Sequence, residues 1–137
     1  MKQILLVDDD DNLREALVRQ FRPHCQGWQI TTASNGMEAL RLTATFPFDL
    51  MITDMLMPEM DGVETIMAIR REYPEVKIIA MSGGGRHVGI ETLECARALG
   101  AHATLEKPFE FSTLLAHVQG LLAATPEPGQ VHRRRAI

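Results

Sequence analysis

Five short apolar runs recur along the chain, each of three or four residues. Most of them lack the alternation of polar and apolar side chains that marks a half-buried strand, which indicates strands covered on both faces. The second run, Ile30-Thr31-Thr32-Ala33, is more polar and is typical of a strand at the edge of a sheet. The predicted strands are residues 4–7, 30–33, 50–53, 78–81 and 103–105.

The segments between these runs repeat apolar side chains at helical spacing. Two of these segments follow residues that typically start a helix, Ser34-Asn35-Gly36 and Asp61-Gly62. Two segments are followed by residues that typically end a helix, Pro74 and Gly100. The pattern predicts five helices, the first with its N-terminal cap region in the acids and Asn12 that precede Leu13. The apolar positions are Leu13, Ala16, Leu17 and Phe21; Met37, Leu40 and Ala44; Val63, Ile66, Met67 and Ile69; Ile90, Leu93, Ala96 and Leu99; and Leu114, Leu115, Val118, Leu121 and Leu122.

Strands that alternate with helices in this way predict an α/β fold on a parallel sheet. The common solution at this length is a flavodoxin-like, doubly wound sheet of five strands in the order 2-1-3-4-5, with right-handed crossovers. Ligands of such sheets bind beyond the carboxyl ends of the strands, close to the switch point between strands 1 and 3.

The length of 137 residues and the hydrophobic fraction of 45% are those of one globular domain. We expect that domain to span residues 1–124. Residues 125–137 contain two prolines, a glycine and three consecutive arginines without periodicity, which predicts a disordered tail.

Composition also narrows the class of protein. The net charge of -4 argues against a general nucleic-acid binder, since those proteins are strongly basic. No apolar run approaches the roughly 18 residues of a membrane helix, and four acids follow the first run where a signal peptide would continue, so we expect a cytoplasmic protein. Cys25 and Cys95 show neither a CxxC pair nor a zinc spacing, and we expect both to be small buried side chains.

Polar or charged side chains stand at the ends of four predicted strands. Asp8 and Asp9 follow the first strand, Asp54 the third, Ser82 the fourth and Lys107 the fifth. Because the carboxyl ends of parallel strands meet at one edge of the sheet, these residues should form one site.

The three carboxylates of that site would repel one another. At about 4 Å one pair costs on the order of 1 kcal/mol in water and about 4 kcal/mol at an effective dielectric constant of 20. A cation would relieve this repulsion, and oxygen ligands without His or Cys favour Mg²⁺. We expect Asp8, Asp9 and Asp54 to hold it together with a backbone carbonyl just after Asp54, that of Leu56.

A carboxylate in such a site can act as a nucleophile and form an acyl phosphate. Phosphoryl transfer depends on positioning and charge neutralisation more than on covalent chemistry by the protein. We therefore interpret Asp54 as a phosphoryl acceptor. Lys107 would pair with the phosphoryl group, Ser82 would donate a hydrogen bond to it, and Gly83 would leave room for it.

From about Lys2 to Ala124 the chain resembles the receiver domain of two-component response regulators. Each motif is weak alone, but all of them occur in order at the ends of predicted strands. The motifs are Val7-Asp8-Asp9, Asp54 with Met57-Pro58 and Asp61-Gly62, Ser82-Gly83, and Lys107-Pro108-Phe109.

The resemblance implies that a histidine kinase or a histidine phosphotransfer protein donates the phosphoryl group to Asp54. It implies Mg²⁺ as cofactor, Ser82 and Lys107 as the residues that sense phosphorylation, and a cis Lys107–Pro108 bond. We expect the chain to catalyse only its own phosphorylation and dephosphorylation. The output would be altered binding of an unidentified protein, without direct DNA or membrane binding, and with homodimers through helix 4, strand 5 and helix 5.

The chain departs from the family at two places. Receivers usually have an aromatic residue three positions before the lysine, and here that residue is Thr104. The glycines after Ser82, together with the segment 86–89, predict a longer and more flexible loop than usual.

Three alternative functions remain open at this stage. The chain could be a receiver fragment of a hybrid kinase or of a longer regulator. It could be a phosphatase or phosphotransferase with a nucleophilic aspartate, although the haloacid-dehalogenase type needs an acid where this chain has Leu56. It could also be a constitutive interaction module, which the complete set of acids, Ser82 and Lys107 disfavours.

Overall fold

A computed structural model describes residues 1–24, 27–57, 60–83 and 86–123, without the side chains of residues 86–91. Within that part of the chain, a five-stranded parallel sheet has the order β2-β1-β3-β4-β5 and is flanked by five α-helices. The predicted fold class and strand order are confirmed. The elements are β1 (Lys2–Val7), α1 (Asp11–Phe21), a 3-10 turn (Arg22–His24), β2 (Trp28–Ala33), α2 (Gly36–Thr45), β3 (Leu50–Asp54), α3 (Gly62–Glu72), β4 (Lys77–Ser82), α4 (Arg86–Ala98), β5 (Ala103–Glu106) and α5 (Phe111–Ala123).

The sheet is covered by two apolar layers, because successive side chains of a strand point to opposite faces. In β1, Ile4 and Leu6 pack with residues of α1 and α5 on one face, whereas Leu5 and Val7 pack with residues of α2, α3 and α4 on the other. All four side chains are fully buried. This two-sided burial explains why the strand runs lack polar alternation.

The strand order brings the carboxyl ends of β1 and β3 side by side. Val7 is opposite Thr53 in the register of these two strands, and Asp54 is opposite Met81 of β4. The chain reverses its winding direction at β1, which lies between β2 and β3. A crevice is therefore expected beyond Val7 and Thr53.

Three helices begin with a side-chain cap at the predicted positions or close to them. Asn35 and Asp61 accept hydrogen bonds from the backbone N–H three residues on. The cap of α1 is Asp10, one of the acids in the predicted cap region, and its side chain accepts from the Leu13 N–H. Gly100 follows α4 with a φ of +114°, and the Ala101 N–H closes the helix on the Ala96 carbonyl at 3.0 Å, which confirms the predicted C-terminal cap.

Two predictions were wrong in part or whole. The helix α4 begins at Arg86, so the segment 86–89 is helical rather than part of a loop, whereas Gly84 and Gly85 lie outside the described residues. Cys95 is exposed on α4 rather than buried, because it lies on the outer side of the helix next to the buried Ala96. Cys25 and residues 124–137, which include the predicted tail, also lie outside the described part.

None of the helices in the described ranges has the length and apolar character needed to cross a bilayer.

Gly62 allows the start of α3 to lie directly against the end of β3. A Cβ atom at this position would be 2.5 Å from Met55 Cα and 2.7 Å from the Asp54 carbonyl oxygen, and both neighbours are backbone atoms. The Gly62 N–H donates to the Met55 carbonyl at 2.9 Å. The loop that follows Asp54 is thus held by a contact that has no space for a side chain.

We expect Gly62→Ala to lower the free energy of unfolding by about 1–3 kcal/mol, because backbone must shift to admit the methyl group. Gly120→Ala is the matched control: Gly120 is exposed in α5 with nothing within 4 Å of the added Cβ. That control should raise stability by about 0.5–1 kcal/mol through helix propensity. Urea unfolding measures both variants, and equal effects would contradict the steric argument.

Candidate functional site

The carboxyl ends of four strands bring the predicted site residues together. The Lys107 ammonium donates to Asp8 Oδ2 at 2.9 Å and to Asp54 Oδ2 at 3.3 Å. The Asp8 side chain is fully buried, and the side chain of Asp54 is 8% exposed. Lys107 follows β5 and reaches across the end of β4, so one cation links carboxylates on β1 and β3.

Asp8, Asp9 and Asp54 form a group of oxygen ligands. One carboxylate oxygen from each lies within 4.8 Å of the others. Asp9 is exposed, whereas the other two are buried, so the group opens to solvent on one side. Hard oxygen donors that leave an open face suit a hard divalent cation that keeps several waters. The three residues therefore fit a metal ion.

The Leu56 backbone lies next to this group. Its N–H donates to Asp54 Oδ1 at 3.4 Å, a long hydrogen bond, and its side chain is exposed. The role of the Leu56 carbonyl as a metal ligand stays a prediction.

Burial and charge act in opposite directions on these groups. Burial raises the pKa of Asp54; Lys107 lowers it and Asp8 raises it, with a net result above the ordinary value of 3.8. Burial lowers the pKa of Lys107, whereas its hydrogen bond to Asp8 and the charges of Asp54 and Asp8 raise it. The second effect is the larger, so the pKa of Lys107 lies above its ordinary value. Lys107 therefore keeps its positive charge, whereas nearby groups offset only part of the cost of burying the Asp54 carboxylate.

Ser82 ends β4 with its hydroxyl buried. Among the described residues, Ser82 Oγ has no hydrogen-bond partner. The Ser82 carbonyl accepts from the Lys107 N–H at 2.7 Å, which ties the ends of β4 and β5 together. At Gly83, an added Cβ would be 3.4 Å from Lys107 Cδ, so the glycine keeps space beside the lysine stem. A buried donor without a partner is unusual in a protein interior.

The sequence analysis missed Arg14 as a part of this site. The guanidinium of Arg14 donates to the Asp8 carbonyl at 2.6 Å and to Asp11 Oδ1 at 2.6 Å. The available signal was an arginine in the first turn of a helix that begins just after two ligand acids. Helical periodicity alone does not reveal this role, because Arg14 contacts Asp8, a residue that lies before the helix.

Thr104 occupies the position where receivers usually have an aromatic residue. Its hydroxyl accepts a hydrogen bond from the Arg97 guanidinium at 2.6 Å, so β5 is joined to α4 by a polar contact there. The Lys107–Pro108 peptide bond is cis, as the resemblance implied.

We expect Asp54→Asn to raise the free energy of unfolding of the metal-free protein at pH 7 by about 1 kcal/mol, because it removes a buried charge beside Asp8. The raised pKa of Asp54 stabilises the wild type only below the unfolded-state value of 3.8, and this contribution is lost as the pH rises through the folded-state pKa. The stability difference should therefore widen from pH 4 upwards.

Urea unfolding in EDTA at several pH values measures this difference. The exposed Glu94→Gln is the control for loss of a carboxylate outside the site. A difference for Asp54→Asn that does not change with pH would contradict the proposed cost of the Asp54 charge.

Comparison with known proteins agrees with this geometry. A family model described as the response regulator receiver domain matches residues 4–119. Among curated relatives, the response regulator receiver protein CpdR of Brucella abortus is 32% identical over 124 residues, which is 90% of this chain and 99% of that protein. The solution structure of the beryllofluoride-activated NtrC4 receiver domain dimer matches with a TM-score of 0.81 and 28% identity, over 92% of this chain and 100% of that one.

Other relatives are longer than this chain. The regulatory protein AtoC of Escherichia coli is 34% identical over 122 residues, which is 89% of this chain but 25% of AtoC. The chain spans 53% and 45% of two further matched regulators. The matched segment includes the three acids, Ser82 and Lys107, and the chain belongs to the response regulator receiver family, the receiver domains of two-component signalling.

Proposed function

We propose that Asp54 accepts a phosphoryl group from a histidine kinase or a histidine phosphotransfer protein, and that phosphorylation changes the binding of a protein partner. The observation that supports this most directly is the buried Asp54 carboxylate, which lies 3.3 Å from the Lys107 ammonium and beside Asp8 and Asp9. An anion in this position is destabilised by burial, and it is close to a cation that can neutralise transferred oxygens.

In the proposed step, an Asp54 carboxylate oxygen attacks the phosphorus of a phosphohistidine whose other ring nitrogen carries a proton. An O–P bond forms and the P–N bond breaks, the electron pair of that bond stays on the ring nitrogen, and the histidine leaves as neutral imidazole. Asp8, Asp9 and Asp54 would hold Mg²⁺ with the Leu56 carbonyl; the ion would neutralise charge on the phosphoryl oxygens. Lys107, whose ammonium is 3.3 Å from Asp54 Oδ2, would pair with the same oxygens.

The donor is proposed to approach over α1 and the loop after β5. A cleft of about 450 Å³ opens beside Lys107, with apolar walls formed by Leu13 and Leu17 of α1 and by Phe109 and Phe111. Such a cleft suits the apolar face of a helix that presents a histidine. The proposal includes no other substrate: the chain would catalyse only its own phosphorylation and dephosphorylation.

The output is proposed to be a protein contact in the cytoplasm rather than direct DNA binding. Transfer adds about -1.5 to -2 charges at Asp54 and new acceptor oxygens within reach of Lys107 and Ser82. The face formed by α4, β5 and α5 would respond, and it would serve a partner or a second copy, as the NtrC4 receiver forms a dimer. A receiver segment of a longer regulator is the alternative, which relatives such as AtoC support.

Incubation with acetyl phosphate or phosphoramidate and Mg²⁺ tests the acceptor. We expect intact mass to increase by one phosphoryl group in the wild type and not in Asp54→Asn. Asp61→Asn is the control, because Asn also caps a helix and Asp61 lies outside the acid group. A phosphoryl adduct on Asp54→Asn, or its dependence on Asp61, would refute the assignment.

The buried hydroxyl of Ser82 supports a second expectation. In the unphosphorylated protein, Ser82→Ala should leave the free energy of unfolding within about 0.5 kcal/mol of the wild type or raise it, since the hydroxyl makes no hydrogen bond to described residues. Thr53→Val is the matched comparison. Thr53 is equally buried, but its Oγ1 donates to the Asp54 carbonyl at 3.0 Å, so this change should cost about 1 kcal/mol.

Beryllofluoride with Mg²⁺, a mimic of the phosphoryl group, tests whether Ser82 takes part in the response to phosphorylation. If Ser82 binds the phosphoryl group, the stabilisation by this mimic should be smaller in Ser82→Ala than in the wild type. Equal stabilisation would show that the Ser82 hydroxyl has no part in the response.

A further inference from the structure

The turn between β1 and α1 is closed by one arginine. Asp8 directly follows β1, Asp10 is the N-terminal cap of α1 and Asp11 is its first residue. Two different nitrogens of the Arg14 guanidinium donate to the Asp8 carbonyl and to Asp11 Oδ1, each at 2.6 Å. The planar fork thus joins the residue before the turn to the residue after it.

Among the described residues, the Asp8 carbonyl lies just past the last ladder hydrogen bond between β1 and β2. The Asp8 N–H still pairs with the Ala33 carbonyl at 3.1 Å, so the next N–H of the ladder would be that of Asn35, but β2 ends at Ala33. A parallel ladder would use a later N–H of β2 for this carbonyl. Arg14 takes that place with a charged donor whose side chain is 18% exposed.

The turn that Arg14 closes also presents the ligand acids. Asp8 Oδ1 accepts the Asp10 N–H at 2.9 Å, which sets the direction of the Asp8 carboxylate. Asp9 lies between these two residues, so the position of its exposed carboxylate depends on the backbone of the turn.

We propose that Arg14 is a positioning residue, which holds the turn of residues 8–11 so that Asp8 and Asp9 present their carboxylates to one divalent cation. The inference rests on the proposed Mg²⁺-dependent phosphorylation of Asp54. Loss of such an outer partner of metal ligands typically weakens metal binding by about 10–100-fold.

The direction of the change in Mg²⁺ affinity distinguishes a positioning role of Arg14 from a purely electrostatic one. Arg14 is a cation close to an acidic metal site, so its charge alone disfavours Mg²⁺, and removal of that charge should strengthen Mg²⁺ binding. Positioning predicts the opposite, that removal of the guanidinium weakens Mg²⁺ binding.

The test is calorimetric titration of Mg²⁺ into the unphosphorylated full chain. Arg14→Met keeps the length of the stem without donors, and we expect its Kd for Mg²⁺ to increase about tenfold. Arg14→Lys has one ammonium in place of the fork, and its Kd should lie between those of the wild type and Arg14→Met. Arg19→Met is the matched control: Arg19 is exposed on the same helix and away from the turn, so its Kd should equal that of the wild type.

A second readout needs no metal. Hydrogen exchange of the Asp10 amide should become faster in Arg14→Met than in Arg19→Met, while far-UV circular dichroism and urea unfolding confirm that both are folded. A Kd for Arg14→Met equal to or lower than that of the wild type would overturn the proposal. If Arg14→Met does not fold, Arg14→Lys decides, since a Kd equal to the wild-type value in that variant also overturns it.

Failure of the proposed function gives a different result. If the wild type binds Mg²⁺ and Arg14→Met binds it weakly, but acetyl phosphate adds no phosphoryl group, the proposal for Asp54 fails and that for Arg14 stands. If Asp54 is phosphorylated and Arg14→Met keeps the wild-type Kd, only the proposal for Arg14 fails.

Discussion

A single ammonium group between two buried carboxylates is the interaction on which the site depends. Lys107 reaches from the end of β5 to Asp8 on β1 and Asp54 on β3, so it links three strands of the sheet. Without a cation, the fully buried Asp8 would be an uncompensated charge, which is among the most destabilising defects in a protein interior. The parallel order of the strands makes this arrangement possible, because it brings their carboxyl ends to one edge.

Lys107 alone does not compensate all the buried polar groups of the site. Burial keeps the pKa of Asp54 raised despite Lys107, and the Ser82 hydroxyl lies buried without a partner in the described chain. Both features are unfavourable in the structure as it stands, and both would be relieved by a divalent cation and a phosphoryl group. A site that is strained in this way gains more from its ligands than a fully satisfied one.

Two arginines connect the site to the surrounding helices. Arg14 closes the turn before α1, and Arg97 of α4 donates to Thr104 of β5 at 2.6 Å. The second contact lies where other receivers have an aromatic side chain. An aromatic ring would pack by filling volume, whereas here a directional hydrogen bond joins α4 to β5. Neither arginine could be found from periodicity, since each contact joins a helix to a strand six or seven residues away.

The sequence by itself determined the fold class and the five polar residues of the site, because burial on both faces of a parallel sheet leaves a readable pattern and strand ends must meet at one edge. Asp8, Asp9, Asp54, Ser82 and Lys107 were all predicted on that ground. The strand order was predicted as the common solution for a chain of this length, and the structure confirms it. Only the tertiary structure decided where the loop after Ser82 ends, that Cys95 is exposed, and which side chains satisfy Asp8 and Thr104. These depend on distances between side chains of separate elements, which no local spacing of residues records.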